Sequence, residues 1–286
     1  MNLASYDISH PYIATVEKTD RITDENTAEV RHITLTVPDP TFQYIEGQSI
    51  GILAPVPRDF GNKHHMRLYS IASSRKEGRQ TKIELEICVR RCFYIDEVSG
   101  ERYPGVASNY LCDLKPGDSL KITGPYGRHF LPPNDPSSNI VMIGVGTGIA
   151  PYRAFMKHIY ENNKSWKGTV RLYYGAQTGM DLLYLNDKNS DISNYYDEET
   201  FKAFQSLSSK PYLNESDEIE ESLAENASEI WDLLQDPKTH VYVSGLSQLK
   251  SNLDDALSKF ADSEEAWIKH RLTMKEEGRW STLFYN

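Results

Sequence analysis

The sequence predicts a two-domain fold, an N-terminal antiparallel β-barrel followed by a C-terminal α/β domain with a parallel sheet. Short β-rich runs separated by Pro, Gly, Asp and Asn fill the first 130 residues and favour a barrel or sandwich. After residue 139 a strand, a glycine turn, a helix and a second strand follow in order, which indicates a βαβ unit. The proline-rich segment 132–139 separates the two patterns. We therefore place the domains at 1–135 and 136–286.

In the first domain, alternating or continuous apolar residues predict strands, and one short helix precedes a KPGD turn. The predicted strands are 33–37, 49–53, 68–72, 82–89 and 119–124, and the helix is 108–114.

In the second domain, apolar runs predict strands and amphipathic runs predict helices. The strands are 139–145, 169–176, 240–245 and 280–286, and the helices are 151–162 and 248–261. Segment 214–236 is strongly acidic, with Ile219, Leu223, Ile230 and Leu234 near helical spacing. We expect an amphipathic helix there, with an acidic partner-binding face as the alternative.

Composition excludes several classes of protein. The chain has 286 residues with 31 Lys and Arg against 41 Asp and Glu, a net charge of −10, which disfavours a duplex nucleic-acid binder. Three cysteines disfavour a disulfide framework and, without clustered histidines, a metal site. No apolar run reaches the length of about 18 residues that spans a membrane, and no signal-peptide pattern is visible. We expect a cytoplasmic protein without a metal.

The turn GVGTG (144–148) follows a strand and opens a helix, where glycines and free helix amides suit a pyrophosphate. The match to a dinucleotide fingerprint is incomplete, because Ile149 takes the third glycine position and 166–176 holds no acidic residue. A structural turn therefore remains an alternative.

Residues 67–70 read Arg-Leu-Tyr-Ser at the start of a strand. A guanidinium suits a pyrophosphate, and a phenol ring suits a flat heterocycle. The alternative is an edge strand with alternating polar residues.

Taken together, the motifs resemble the plant- and cyanobacterial-type ferredoxin–NADP⁺ reductases in order and spacing along nearly the whole chain. They are RLYS (67–70), CVRR (88–91), GVASNYLCDLKPGD (105–118), ITGPYGRHFLPP (122–133), GVGTGIAPYRAF (144–155), YYGA (173–176), VYVSGL (241–246) and the terminal aromatic. The resemblance implies an FAD-binding barrel and an NADP-binding α/β domain.

For FAD, the resemblance implies that Arg67 holds the pyrophosphate, Tyr69 stacks on the isoalloxazine, and Ser70 hydrogen-bonds flavin N5, the atom that takes the hydride. Further FAD-site residues would be Leu68, Cys88, Val89, Arg90, Tyr94, Gly105, Val106, Ala107 and Ser108. Of these, Tyr94 would stack on adenine, and 105–108 would cradle the phosphates.

For the nicotinamide nucleotide, the resemblance implies a cleft lined by Thr147, Ala176, Gln177, Gly245 and Leu246. Tyr285 would cover the second flavin face and move aside when nicotinamide arrives. Ser208, Lys210 and Tyr212 would form the 2′-phosphate site. Because this region has no Arg, NAD(H) stays open as an alternative to NADP(H).

The sequence departs from the family near the expected chemistry. Ser244 stands where the family has a Cys, and Leu283 stands where it has a Glu. The expected catalytic residues are therefore Ser70, Tyr285 and Ser244, and Leu283 cannot serve the family's proton network.

The expected function is electron transfer between NADPH and a carrier protein, ferredoxin or flavodoxin, by a monomer or weak dimer without membrane insertion. A basic set around the RLYS strand would dock the acidic carrier; it comprises Arg58, Lys63, Arg67, Arg75, Lys76 and Arg79. Two alternatives stay open: the reductase component of an oxygenase system, and a flavin-binding module without turnover.

Overall fold

A computed structural model of the chain describes residues 6–55, 64–76, 78, 80–96, 98–162, 166–176, 178–195, 200–207, 219–247, 249–261 and 263–285. The chain divides into two compact units, Met1–Arg128 and His129–Asn286. The division falls before residue 135 because the Phe130 ring packs 5.2 Å from that of Tyr242, and the His129 carbonyl accepts a hydrogen bond from Ser281. Of the helices in the described ranges, none has the length and apolar character that crossing a membrane requires.

The first unit is built on an antiparallel sheet of six strands. The strands are β1 (Tyr12–Arg21), β2 (Val30–Val37), β3 (Ser49–Pro55), β4 (His64–Ser70), β5 (Ile83–Arg90) and, after a hairpin and a helix, β8 (Ser119–Tyr126). Their order in the sheet is β4-β3-β8-β1-β2-β5. The hairpin pairs β6 (Phe93–Ile95) with β7 (Arg102–Pro104), and the helix is α1 (Val106–Asp113).

The two outer strands of this sheet meet and close it into a barrel. Ile71, directly after β4, forms an antiparallel bridge with Ile87 of β5, and the Ala72 amide donates to the Glu86 carbonyl at 2.7 Å. Alternating residues of the strands fill the barrel core, and Leu111 and Cys112 of α1 join it. The helix therefore packs onto the barrel beside β4 and β5.

The second unit contains a parallel sheet of five strands. The strands are β9 (Asn139–Val145), β10 (Val170–Ala176), β11 (Phe201–Leu207), β12 (Thr239–Leu246) and β13 (Trp280–Tyr285), and their order is β11-β10-β9-β12-β13. The helices are α2 (Ile149–Lys157), α3 (Glu220–Glu225), α4 (Ala227–Gln235), α5 (Leu249–Ser258) and α6 (Glu264–Glu276).

Helices cover both faces of this sheet. Val241 and Val243 of β12 belong to the core formed with α3–α6, whereas the ring of Tyr242 packs 5.0 Å from that of Phe155 in α2. Successive residues of a strand face opposite sides, so this alternation shows a doubly wound domain. The strand order reverses between β9 and β12, and open α/β sheets bind ligands at the carboxyl ends of such strands.

The predicted fold class is confirmed, and the predicted strands match observed strands to within a few residues. Five elements were not predicted: β1, the hairpin strands β6 and β7, edge strand β11 and helix α6. The sequences of β1 and α6 are rich in charged residues, and α6 buries only Trp267 and Met274 within its length. The single helix expected in 214–236 is wrong, since the chain forms α3 and α4, separated at Asn226.

Candidate cofactor sites in the two units

Strand β4 carries the first group of predicted residues. Arg67 and Tyr69 lie on the same face, since they are two positions apart. Tyr69 packs against the barrel core, and burial raises the pKa of its hydroxyl. The exposed Arg67 guanidinium donates to the neighbouring Met66 carbonyl at 3.0 Å. Ser70 ends the strand half-buried.

The start of α1 carries the second group. Gly105 occupies the N-cap position without a side-chain cap, so no side chain satisfies the first helix amides from that position. Cys92 fixes the turn: its carbonyl accepts from the Gly105 amide at 2.9 Å, and its amide donates to the Ser108 hydroxyl at 3.1 Å. A helix start of this kind attracts an anion.

Arg91 joins α1 to the strands, a role that the sequence reasoning missed. Its guanidinium donates to Glu29 at 2.7 Å, to Asn109 at 3.0 Å and to Asp113 at 2.8 Å. Burial alone would raise the pKa of Glu29, but hydrogen bonds from Arg91 and Arg31 outweigh it and hold that pKa below its usual value. The CVRR motif contains Arg91, but the partners of Arg91 are distant in sequence, so the motif alone could not show this role.

The β6–β7 hairpin presents an exposed aromatic surface beside the start of α1. The rings of Tyr94 and Tyr103 stack with centroids 5.5 Å apart, and the Arg102 guanidinium lies 3.7 Å above the Phe93 ring. Tyr94 is 56% exposed and can offer its ring to a flat heterocycle.

Not every predicted FAD-site residue reaches the surface. Val89 is fully buried in the barrel core, and Cys88 and Ala107 are nearly so. Their predicted contacts with a ligand stay predictions. Among the other predicted FAD-site residues, the exposed ones are Arg67, Arg90, Tyr94 and Val106, and the half-buried ones are Leu68, Tyr69, Ser70 and Gly105.

This donor set fits FAD. Across the described ranges no carboxylate pairs with the guanidinium of Arg67 or of the exposed Arg90, so both are available to a pyrophosphate. The helix start at Gly105 adds oriented amides, and Tyr69 and Tyr94 offer aromatic faces. Bound FAD would supply the redox chemistry of its flavin ring.

In the second unit, the predicted glycine turn joins β9 to α2. A Cβ atom on Gly148 would lie 2.3 Å from the Ser244 carbonyl oxygen, so this glycine lets the turn pack on the end of β12. Gly146 has φ +54°, and a Cβ there would meet no atom of the described chain within 4 Å. The open side of Gly146 can receive a phosphate, which fits a dinucleotide.

Two tyrosines that the sequence reasoning did not single out bind the turn and the strands beside it: Tyr174 binds the turn, and Tyr152 joins β9 to β12. The Tyr174 hydroxyl donates to the Gly146 carbonyl at 2.8 Å and accepts from the Leu183 amide at 3.3 Å. The buried Tyr152 hydroxyl lies 2.7 Å from the Ile143 carbonyl and 2.9 Å from the Tyr242 carbonyl. Both tyrosines belong to recognised motifs, but the motifs do not show which backbone groups their hydroxyls bind.

The other described residues predicted to bind the nucleotide lie at the carboxyl edge of the sheet. Leu246 pairs with Tyr285 in the ladder between β12 and β13, and the Thr147 hydroxyl donates to the Tyr285 hydroxyl at 3.0 Å. Ala176 is the last residue of β10 and Gly245 the last but one of β12, so both lie at this edge, and their contacts with a ligand stay predictions.

Ser244 is fully buried between Gly144 and Leu283 in the ladders, and its hydroxyl has no hydrogen-bond partner among the described residues. Its burial weighs against direct contact with a ligand, and its catalytic role stays a prediction. Gln177, Ser208, Lys210 and Tyr212 lie outside the described residues, as do Arg58, Lys63 and Arg79 of the basic set.

Two family models match the chain, one covering most of the first unit and the other lying in the second unit. The oxidoreductase FAD-binding domain matches residues 14–130, and the oxidoreductase NAD-binding domain matches residues 142–254.

Similar proteins cover nearly the whole chain. The ferredoxin–NADP reductase of the cyanobacterium Synechocystis is 36% identical over 282 residues, which cover 96% of this chain and 68% of the relative. The chloroplastic leaf isozyme 1 of Arabidopsis thaliana is 36% identical, with 96% of this chain and 78% of the relative covered. The ferredoxin–NADP reductase of Spirulina is 32% identical, with 98% and 97% covered.

A solved structure shows the same fold. The ferredoxin–NADP⁺ reductase of Plasmodium falciparum superposes with a TM-score of 0.75 at 23% identity and covers 98% of each chain. With both family models matched in order and relatives above 30% identity along its length, the chain belongs to the ferredoxin–NADP reductase family.

Proposed function

We propose that the chain is an FAD-dependent reductase that transfers electrons between NADPH and a one-electron carrier, with ferredoxin as the first candidate. The observation that carries the proposal is the convergence of RLYS and GVAS in the first unit. Helix α1, which begins at GVAS, packs onto the barrel beside β4, which contains RLYS. The relatives are named for ferredoxin and NADP, which supports the same reading.

The residues of each unit have separate tasks. In the first unit, Arg67, Arg90 and the start of α1 bind the pyrophosphate, and Tyr69 orients the flavin ring. In the second unit, the turn at Gly146 and Thr147 binds the nucleotide at the carboxyl edge. Electron transfer of this kind depends on alignment more than on a titrating side chain, so Leu283 in place of the family's Glu is compatible with turnover.

A carrier-dependent cytochrome c reduction assay tests the proposal. The purified chain with added FAD is given NADPH or NADH, with a ferredoxin, a flavodoxin or no carrier. We expect reduction that depends on the carrier and is faster with NADPH. A chain that reduces no carrier with either nucleotide would contradict the proposal.

The half-buried Leu283 favours one alternative, the reductase component of an oxygenase system with its own carrier. An ordinary ferredoxin supporting the full rate would exclude that alternative. A cytoplasmic location, a flavodoxin partner and a monomeric or weakly dimeric state stay predictions.

A further inference from the structure

The β6–β7 hairpin forms a small sheet of its own, in which Tyr94 and Tyr103 lie directly opposite one another. Their rings stack with centroids 5.5 Å apart and 22° between the ring planes. Successive residues of a strand face opposite sides, so this pair does not share its face with Phe93 and Arg102, which contact each other. The two tyrosines are therefore a separate aromatic pair on one face of the hairpin.

Hydrogen bonds close the hairpin at both ends. At its base the Gly105 amide donates to the Cys92 carbonyl at 2.9 Å, and at its tip the Gly100 amide donates to the Asp96 carbonyl at 2.8 Å. Gly105 is also the N-cap of α1, the helix start proposed for the FAD phosphates. Tyr103 precedes Gly105 by two residues, at most about 7 Å along the chain. Because a single ribose joins the phosphates of FAD to its adenine, the tyrosine pair lies where that adenine can reach it.

The two rings of the pair are held differently. The Tyr103 hydroxyl donates to the Glu101 carboxylate, and the Tyr103 side chain is 38% exposed. Tyr94 is 56% exposed although Tyr103 covers one face of its ring, so the other face is open. Across the described ranges the Tyr94 side chain forms no hydrogen bond, so its ring is oriented by packing, and Tyr103 supplies the ring that stacks on it.

We propose that Tyr103 is a positioning residue that holds the Tyr94 ring in place to stack on the adenine of FAD. Tyr103 covers one face of the Tyr94 ring and leaves the other to adenine, so that the three rings stack in series. A side chain that is ordered before the ligand arrives lowers the entropic cost of binding. Tyr103 lies outside the motifs that carry the family resemblance. The inference rests on the proposed function and adds to it a residue that strengthens the preference for FAD over FMN, which has no adenosine.

Titration of the flavin-free full chain, followed by flavin fluorescence, tests this role without turnover. Tyr103→Leu removes the ring, whereas Tyr103→Phe retains the ring and removes only the hydroxyl. Phe93→Leu is the matched control, because it removes a ring from the opposite face of the same hairpin. FMN is the control ligand, since it has the flavin ring and one phosphate but no adenine.

We expect Tyr103→Leu to raise the dissociation constant for FAD about two- to tenfold, the cost of ordering one side chain, and to leave FMN binding unchanged. Tyr103→Phe should bind FAD more tightly than Tyr103→Leu, and Phe93→Leu should bind it like the wild type. Tyr94→Leu should weaken FAD binding about 5- to 150-fold, the range for the loss of one base–aromatic stack.

The double variant Tyr94→Leu/Tyr103→Leu separates positioning from a merely structural role. Because Tyr103 acts through Tyr94, the double variant should bind FAD as weakly as Tyr94→Leu alone. If Tyr103 only stabilised the hairpin, its loss would weaken FAD binding in the Tyr94→Leu background as well.

Four results would overturn the positioning role. Tyr103→Leu could leave the FAD dissociation constant unchanged, it could weaken FAD and FMN equally, Phe93→Leu could weaken FAD as much as Tyr103→Leu does, or the two single effects could multiply in the double variant. A wild-type chain that binds no FAD would contradict the proposed function as well. A wild type that binds FAD no more tightly than Tyr103→Leu does would contradict the positioning role alone.

Discussion

Arg67 shows how one residue can be assigned to an anion. Its guanidinium is exposed on a rigid strand, two positions from a half-buried tyrosine, and forms no ion pair within the described ranges. The family's motif places a pyrophosphate contact at this position, and the planar guanidinium suits two phosphate oxygens at once.

Arg67→Ala should weaken FAD binding about 10- to 100-fold, since hydrogen bonds to charged groups contribute about 1.5–3 kcal/mol. Arg67→Lys should have an FAD affinity between those of the wild type and Arg67→Ala, because an ammonium cannot bind two phosphate oxygens in the bidentate geometry of a guanidinium. Fluorescence titration of flavin-free protein measures both. Lys121→Ala, which removes another strand cation, is the matched control and should bind like wild type. If Arg67→Ala binds FAD as tightly as the wild type does, the assignment of Arg67 to the pyrophosphate is wrong.

Ser244 illustrates a residue whose surroundings differ from those expected of a catalytic group. Its hydroxyl is buried without a hydrogen-bond partner among the described residues. Ser244→Ala should therefore stabilise the protein by about 1 kcal/mol, because an unsatisfied buried hydroxyl is removed. Urea denaturation measures the change. If Ser244→Ala instead destabilises the fold and lowers kcat, the hydroxyl has a functional partner and the catalytic prediction gains support.

At the scale of elements, the start of α1 depends on a charged contact with neighbouring strands. Arg91 binds Glu29, which precedes β2, and Asn109 and Asp113 of α1. The helix that is expected to hold the FAD phosphates is thus positioned by a guanidinium whose own hydrogen bonds go to protein groups.

Glu29→Gln should lower the free energy of unfolding at neutral pH by about 1–3 kcal/mol. The pKa of Glu29 is lower in the folded chain than in the unfolded one. Its contribution is therefore complete above the unfolded pKa of about 4.3 and is lost as the pH falls through the folded pKa. Denaturation is measured at neutral pH and at a pH below the folded pKa of Glu29. The free energy of unfolding should differ between wild type and Glu29→Gln only at neutral pH, and a difference that persists in acid would refute this origin.

The glycines of the nucleotide turn have different structural roles. A Cβ on Gly148 would meet the Ser244 carbonyl at 2.3 Å, a backbone atom that cannot rotate away. A Cβ on Gly146 would lie in open space, at the cost of a positive φ alone.

Gly148→Ala should lower stability by about 3 kcal/mol through overpacking, and Gly146→Ala by about 1 kcal/mol through backbone strain. Thermal unfolding of the two variants makes the comparison direct, since each adds the same methyl group to the same turn. Equal losses would show that β12 can shift away from the turn.

At the scale of the whole molecule, the fold class was predictable from the sequence because each unit has a clear pattern of apolar residues. The apolar runs of β9 and β12 predict buried parallel strands, and the short runs before residue 130 predict the barrel. Edge strand β11 escaped prediction because exposed Lys202 and Gln205 interrupt its apolar pattern.

The sites were predictable as motifs but not as contacts. Tyr174 and Gly146 are 28 positions apart, Arg91 and Glu29 are 62 apart, and Thr147 and Tyr285 are 138 apart. Only the folded chain brings these groups within hydrogen-bond distance, so residue spacing in the sequence could not reveal them. Family motifs mark where ligands bind and leave open which residues hold those sites in place.

The central claim is that this chain binds FAD and reduces it with NADPH, and anaerobic mixing of the purified, FAD-loaded chain with each nucleotide tests it most directly. Loss of visible flavin absorbance follows the reduction in a stopped-flow instrument. The account predicts rapid, complete bleaching by NADPH and slower bleaching by NADH. A colourless chain that takes up no FAD, or a flavin that neither nucleotide bleaches, would contradict it.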